Sequence, residues 1–144
     1  EPEASVSFLY VQTFGGGTIS DVDENGDAML ALSTAPSNTI AFADHPARNV
    51  MALPTDELPE QLSFTEGNPP NAALVTQDEE GNTVVLVVEL FDPVYDPSEH
   101  LATYRIRELK EFSMFDESLT YYAVPLGEMP ALFGAASLFI DDGD

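Results

Sequence analysis

The chain contains no cysteine and no tryptophan, only two histidines, and four Lys plus Arg against 26 Asp plus Glu. Without cysteine there is no disulfide staple, no thiol nucleophile and no Cys-ligated zinc. So few cations cannot neutralise a phosphate backbone, which argues against nucleic acid and anionic membrane surfaces as partners. No apolar run approaches the roughly 20 residues of a helical membrane span. Asparagine sequons are missing as well, because Asn25, Asn38, Asn49, Asn68, Asn71 and Asn82 all lack Ser or Thr two positions on. Any glycan therefore has to be carried by hydroxyls or by a non-standard linkage.

What is present is 144 residues, 44% of them hydrophobic, with a formal charge of −22. That length predicts one domain, and the apolar fraction predicts a folded protein with an acidic surface rather than a disordered acidic tail. Glu1, standing where Met is expected, suggests a processed or trimmed N-terminus.

The dominant pattern is strand-like, with β-branched and aromatic clusters cut apart by Gly, Pro, Asn and Asp. Ser5 to Phe14 places Val6, Phe8 and Tyr10 on one face, with Leu9 and Val11 on the other. After Gly15-Gly16-Gly17, Thr18 to Ser33 reads as a hairpin turning at Asn25-Gly26, a dipeptide that accepts positive φ. Thr39 to Ala43 is a short strand stopped at Asp44-His45-Pro46. From Arg48 to Pro70, four prolines and no sustained period predict a loop over the core, with one helical turn near Thr55 to Leu62. Asn71 to Thr76 and Thr83 to Phe91 form a second hairpin around residues 78–82, and the run TVVLVVELF, apolar on both faces, marks a central strand. Leu101 to Glu108 alternates as a half-buried strand holding Arg105 and Arg107; Leu119 to Val124 and Ala135 to Ile140 supply the last strands. The expected fold is all-β, a Greek-key β-sandwich of about seven or eight short strands with a Pro-rich loop around residues 48–70. Residues 1–14 form an N-terminal strand available for donation to a neighbour, and 15–144 the sandwich domain.

Asp21, Asp23, Asn25 and Asp27 space oxygen ligands at alternate positions, as in the first half of a calcium loop. Two readings stand. One is an open hairpin site for Ca2+ completed by water or a remote carboxylate; the other is a turn that is acidic because the whole surface is. A complete helix-loop-helix site is excluded, since Leu32 falls where the bidentate Glu belongs. Asp44-His45 and Glu99-His100 hold both histidines, but no nucleophile elbow, zinc helix or phosphate loop accompanies them, so a non-enzymatic role is expected. Asp44 instead closes a turn or pairs with Arg48. The segment Asp92 to Glu99, with two prolines and three acids, reads as a rigid loop, and Asp141 to Asp144 as charge that blunts a sheet edge.

Four segments together resemble a family of secreted, mostly uncharacterised bacterial and archaeal β-proteins: Tyr10-Val11-Gln12-Thr13, Phe42-Ala43-Asp44-His45-Pro46-Ala47-Arg48, Pro69-Pro70-Asn71-Ala72-Ala73-Leu74, and the stretch from Phe133 to Asp142. Members of that family are made with signal peptides, so the resemblance implies a secreted, extracellular protein with Glu1 as its mature start; the second segment departs from the pattern at His45, where Arg is more usual. The chain also resembles the protein cores of glycan-coated fibrils from environmental water. That likeness implies a subunit repeated along a filament, and it brings no active site.

Two functions are expected from these features. The first is a non-enzymatic structural subunit of an extracellular filament, a head-to-tail homopolymer, with attached glycans as a further partner. In it the N-terminal strand enters a groove of the neighbour, Val6, Phe8 and Tyr10 fill pockets, and Gly15, Gly16 and Gly17 act as the hinge. The second is a monomeric secreted module that binds a cation, a carbohydrate or a cationic partner through its loops, with Tyr95, Tyr121 and Tyr122 available to stack on sugars.

Overall fold

The computed structural model describes residues 9–35, 38–43, 49–55, 69–109 and 123–141. Ten strands appear in them: β1 (Leu9–Phe14), β2 (Gly16–Ile19), β3 (Asp27–Ser33), β4 (Asn38–Ala43), β5 (Asn49–Pro54), β6 (Asn71–Gln77), β7 (Thr83–Asp96), β8 (Leu101–Glu108), β9 (Leu132–Phe133) and β10 (Ala136–Asp141). A 3-10 turn at Leu126–Glu128 precedes β9. The all-β expectation holds.

All ten strands share one hydrogen-bonded sheet in the order β5-β4-β1-β10-β6-β7-β8-β3-β2-β9. A sandwich predicts two ladders joined by loops, whereas here the ladder returns on itself. Only Gly15 separates β1 from β2, and only Gly134 and Ala135 separate β9 from β10. The bent strand 9–19 therefore pairs β10 through its first arm and β3 through its second. The ring closes through β6, β7 and β8. Bent strands that pass from one side of a core to the other are how an antiparallel sheet turns a corner. They are invisible to periodicity, because each arm alone reads as an ordinary strand.

Inside the ring, alternate residues build the core: Tyr10 and Phe14 from β1, Leu30 and Leu32 from β3, Leu86, Val88 and Leu90 from β7, Tyr104 and Ile106 from β8, Leu138 and Ile140 from β10. The intervening residues of β7 are buried too, since Val85 and Val87 join Ala73, Val75 and Leu109 in a second cluster on the outer face. The sequence run that is apolar on both faces thus belongs to a strand covered on both sides, as expected.

Both hairpins turn in the same way. In Asp23-Glu24-Asn25-Gly26-Asp27 and in Asp78-Glu79-Glu80-Gly81-Asn82 the fourth residue is a glycine at φ 86°. The first residue's N–H donates to the fifth residue's carbonyl, at 2.8 and 2.9 Å. A side chain on either glycine would be forced into left-handed strain.

Three local expectations change. Asn49–Pro54 is a strand paired along its whole length with β4, not part of a loop; β4 supplies a ladder that no local pattern announces. Asp92–Asp96 continues β7 rather than opening a loop. There Asp92 and Pro93 together oppose the single Tyr104, a bulge that shifts the register by one, and Asp92 takes φ 53°. Beyond Glu89 the strand has no β6 partner, so Pro93 costs no ladder bond on that side. Finally, β10 lies between β1 and β6, so Asp141 ends an interior strand rather than an edge.

Candidate functional site

Tyr10, Gln12 and Phe14 alternate on β1 and point into the core. That face of β1 is apolar except at Gln12, which is 1% exposed. Its amide nitrogen donates to Thr39 Oγ1 at 3.0 Å, and its amide oxygen accepts from the Tyr104 hydroxyl at 3.1 Å. Thr39 Oγ1 in turn lies 3.1 Å from Thr55 Oγ1. Four buried polar side chains from β1, β4, β8 and the end of β5 thus satisfy one another, as burial demands. Burial pushes the Tyr104 phenol well above its ordinary range, so it stays a neutral donor.

This network sits in the slot that β1 occupies. On one side β1 pairs with β10 over its full six residues, from Leu9 opposite Asp141 to Phe14 opposite Ala136. On the other it pairs with β4 over Leu9, Tyr10 and Val11. Of the expected assembly residues, Tyr10 is in the core, while Val6 and Phe8 lie outside the described residues. Gly15, Gly16 and Gly17 all avoid positive φ. Close approach explains Gly17: a Cβ there would stand 2.6 Å from the Phe133 ring and 2.8 Å from the Ala31 carbonyl oxygen.

A second polar constellation lies outside the ring, where β3, β8 and β7 adjoin. Asp27 is 5% exposed, and its two oxygens are taken by two guanidinium groups. Arg107 Nε donates to Oδ1 at 2.7 Å and Arg105 Nη1 to Oδ2 at 2.7 Å. Arg105 Nε also donates to Asp92 Oδ2 at 2.8 Å. Both guanidiniums lie over the Phe91 ring, at 4.3 and 5.0 Å from its centroid. The hydrogen bond from Arg107, then that from Arg105, holds the Asp27 carboxyl below its ordinary value. The register places Asp27 opposite Arg107 and Met29 opposite Arg105. Sequence reasoning saw the two arginines and Asp27 separately, and only strand pairing joins them.

Of the four residues expected to ligate calcium, Asp27 is thus engaged by arginine. Asp23 Oδ1 accepts the backbone N–H of Asn25 at 2.8 Å and of Asp27 at 2.9 Å. Asp78 does the same in the other hairpin, to Glu80 and Asn82. Asp21 and Asp23 border a depression of about 210 Å3 with Ser20, Met29 and Arg105. Among the described residues no three acidic or histidine side chains converge to hold a metal ion. His100 is exposed at φ 52°, and Asp44, His45 and Arg48 lie outside the described residues. At the end of β7, Asp96 accepts from the Ser98 hydroxyl at 2.8 Å, which lowers its pKa. Comparison of the chain with family models, with curated proteins and with solved structures finds no match.

Proposed function

We propose that the protein is a non-enzymatic structural subunit of an extracellular filament, and that β1 is the element exchanged between copies. One observation carries the reading: the first described strand fills a slot between two strands remote from it in the chain, β10 and β4, and buries Tyr10, Gln12 and Phe14 there. A neighbour's β1 can make the same contacts in the same register, and donation passed from copy to copy grows head to tail without closing. The resemblance to the protein cores of glycan-coated fibrils agrees with this reading, and hydroxyl-linked glycan is compatible with it.

Cysteines placed at Thr13 and Ser137, which face each other across β1 and β10, test the exchange in a chain that has no other thiol. Strand neighbours in such a pair approach within disulfide range. Exchange predicts oxidised oligomer ladders on denaturing gels and filaments by electron microscopy. Disulfides confined to single chains in assembled material would overturn it.

A second reading, a monomeric secreted module for a cation, carbohydrate or cationic partner, draws on the depression beside Asp21, Asp23 and Met29. It requires a sharp monomer by light scattering at every protein concentration.

A further inference from the structure

The ladder has two ends, and they differ. β9 has two residues, a short edge of the kind that resists pairing. β5 has six, each paired to β4 from Asn49 opposite Ala43 to Pro54 opposite Asn38. No described strand pairs with its other side. Edge strands are commonly protected by charge, yet β4 and β5 together, NTIAFA and NVMALP, contain no ionisable side chain in a chain with 30 Asp, Glu, Lys and Arg.

We infer that β5 is a pairing edge for β5 of a second copy, joined antiparallel about a two-fold axis. The row of backbone N–H and C=O groups on its far side, which no described strand takes, supplies the bonds, and the antiparallel pairing of two β5 strands is self-complementary. The partner follows from charge. Two chains of −22 repel wherever their acidic surfaces are apposed. An uncharged edge lets them meet without stacking carboxylates, and it offers a charged partner no counter-charge. Identical neutral strands fit both requirements. The contact is isologous and therefore distinct from head-to-tail exchange of β1: it joins copies, or filaments, side by side.

Sedimentation of the full chain at tens of micromolar tests this, using substitutions at Ala52, an exposed residue in mid-strand. The wild type and Ala52→Thr are expected to dimerise. Ala52→Lys places a strongly hydrated charge on the pairing edge of each copy and is expected to weaken the dimer roughly tenfold or more, with an unchanged melting curve at concentrations too low for the dimer to form. Raising sodium chloride should tighten the wild-type dimer, because salt screens the repulsion and there is no ion pair to lose. A wild type monomeric under these conditions, a dimer weakened by salt, or an undiminished dimer in a folded Ala52→Lys chain would each overturn the inference. Oxidation of the cysteine pair at 13 and 137 separates the two contacts. An edge dimer leaves that disulfide within one chain, so either proposal can fail while the other stands.

Discussion

Asp27 shows how one side chain organises a charged surface. With 26 acids in the chain, most carboxylates can gain little from the four cations, yet this one takes two of them. Its partners stay in touch with water, as the Arg105 and Arg107 side chains are 22% and 39% exposed. The pair is worth less than a fully desolvated one, and Asp27→Asn is expected to cost about 2 kcal/mol. Because the native pKa lies below the unfolded value of about 3.9, that stabilisation is complete above about pH 5 and is lost as pH falls through the native value. Urea midpoints measured from neutral pH into acid should show a shallower acid limb in Asp27→Asn than in the wild type. Identical acid limbs would mean that the arginines do not hold this carboxyl. Gln12 is passed over when β1 is read by its alternation alone, although a lone amide between Tyr10 and Phe14 on a face otherwise apolar is the mark by which the buried polar network could be found. Its partners Thr39, Thr55 and Tyr104 could not be read, because hydroxyls 27 and 92 residues away carry no local mark.

At the scale of elements, legibility followed locality. The hairpins at Gly26 and Gly81, the doubly covered β7 and the alternating β8 are written in neighbouring residues. β5, β9 and the run of β7 past Pro93 are not, since each depends on a partner strand folded from elsewhere. The triple glycine reads from sequence as a break and a hinge, and its structural use is partly steric. Gly17 lies where β2 passes beneath Phe133 and beside the Ala31 carbonyl. Gly17→Ala is expected to destabilise by about 1–3 kcal/mol through overpacking. Phe133→Leu in the same chain should recover part of that loss, because the ring can be trimmed, and not all of it, because the backbone carbonyl 2.8 Å from the added methyl remains. Additive losses in a double-mutant cycle would show that the ring is not what excludes a side chain there.

For the whole molecule, the charge of −22 sets the conditions under which the ring and any assembly form. The described acids lie chiefly at turns and strand ends, and those that turn hairpins spend their oxygens on backbone N–H groups. A diffuse shell of this kind responds to ionic strength as a whole. The Debye length falls from about 10 Å at 0.1 M salt to about 3 Å at 1 M. Self-repulsion should fade over that range, and the melting midpoint should rise by a few degrees, equivalent to about 1–2 kcal/mol. A specific calcium site behaves otherwise, saturating at millimolar ion and stabilising in proportion to the logarithm of its concentration. With the Asp27 oxygens held by arginine and Asp23 closing its own turn, calcium at matched ionic strength is expected to shift the midpoint no further than sodium does. An additional saturable rise would place a cation among the acidic loops, and repetition of the titration with Asp21→Asn and Asp78→Asn would identify which hairpin holds it.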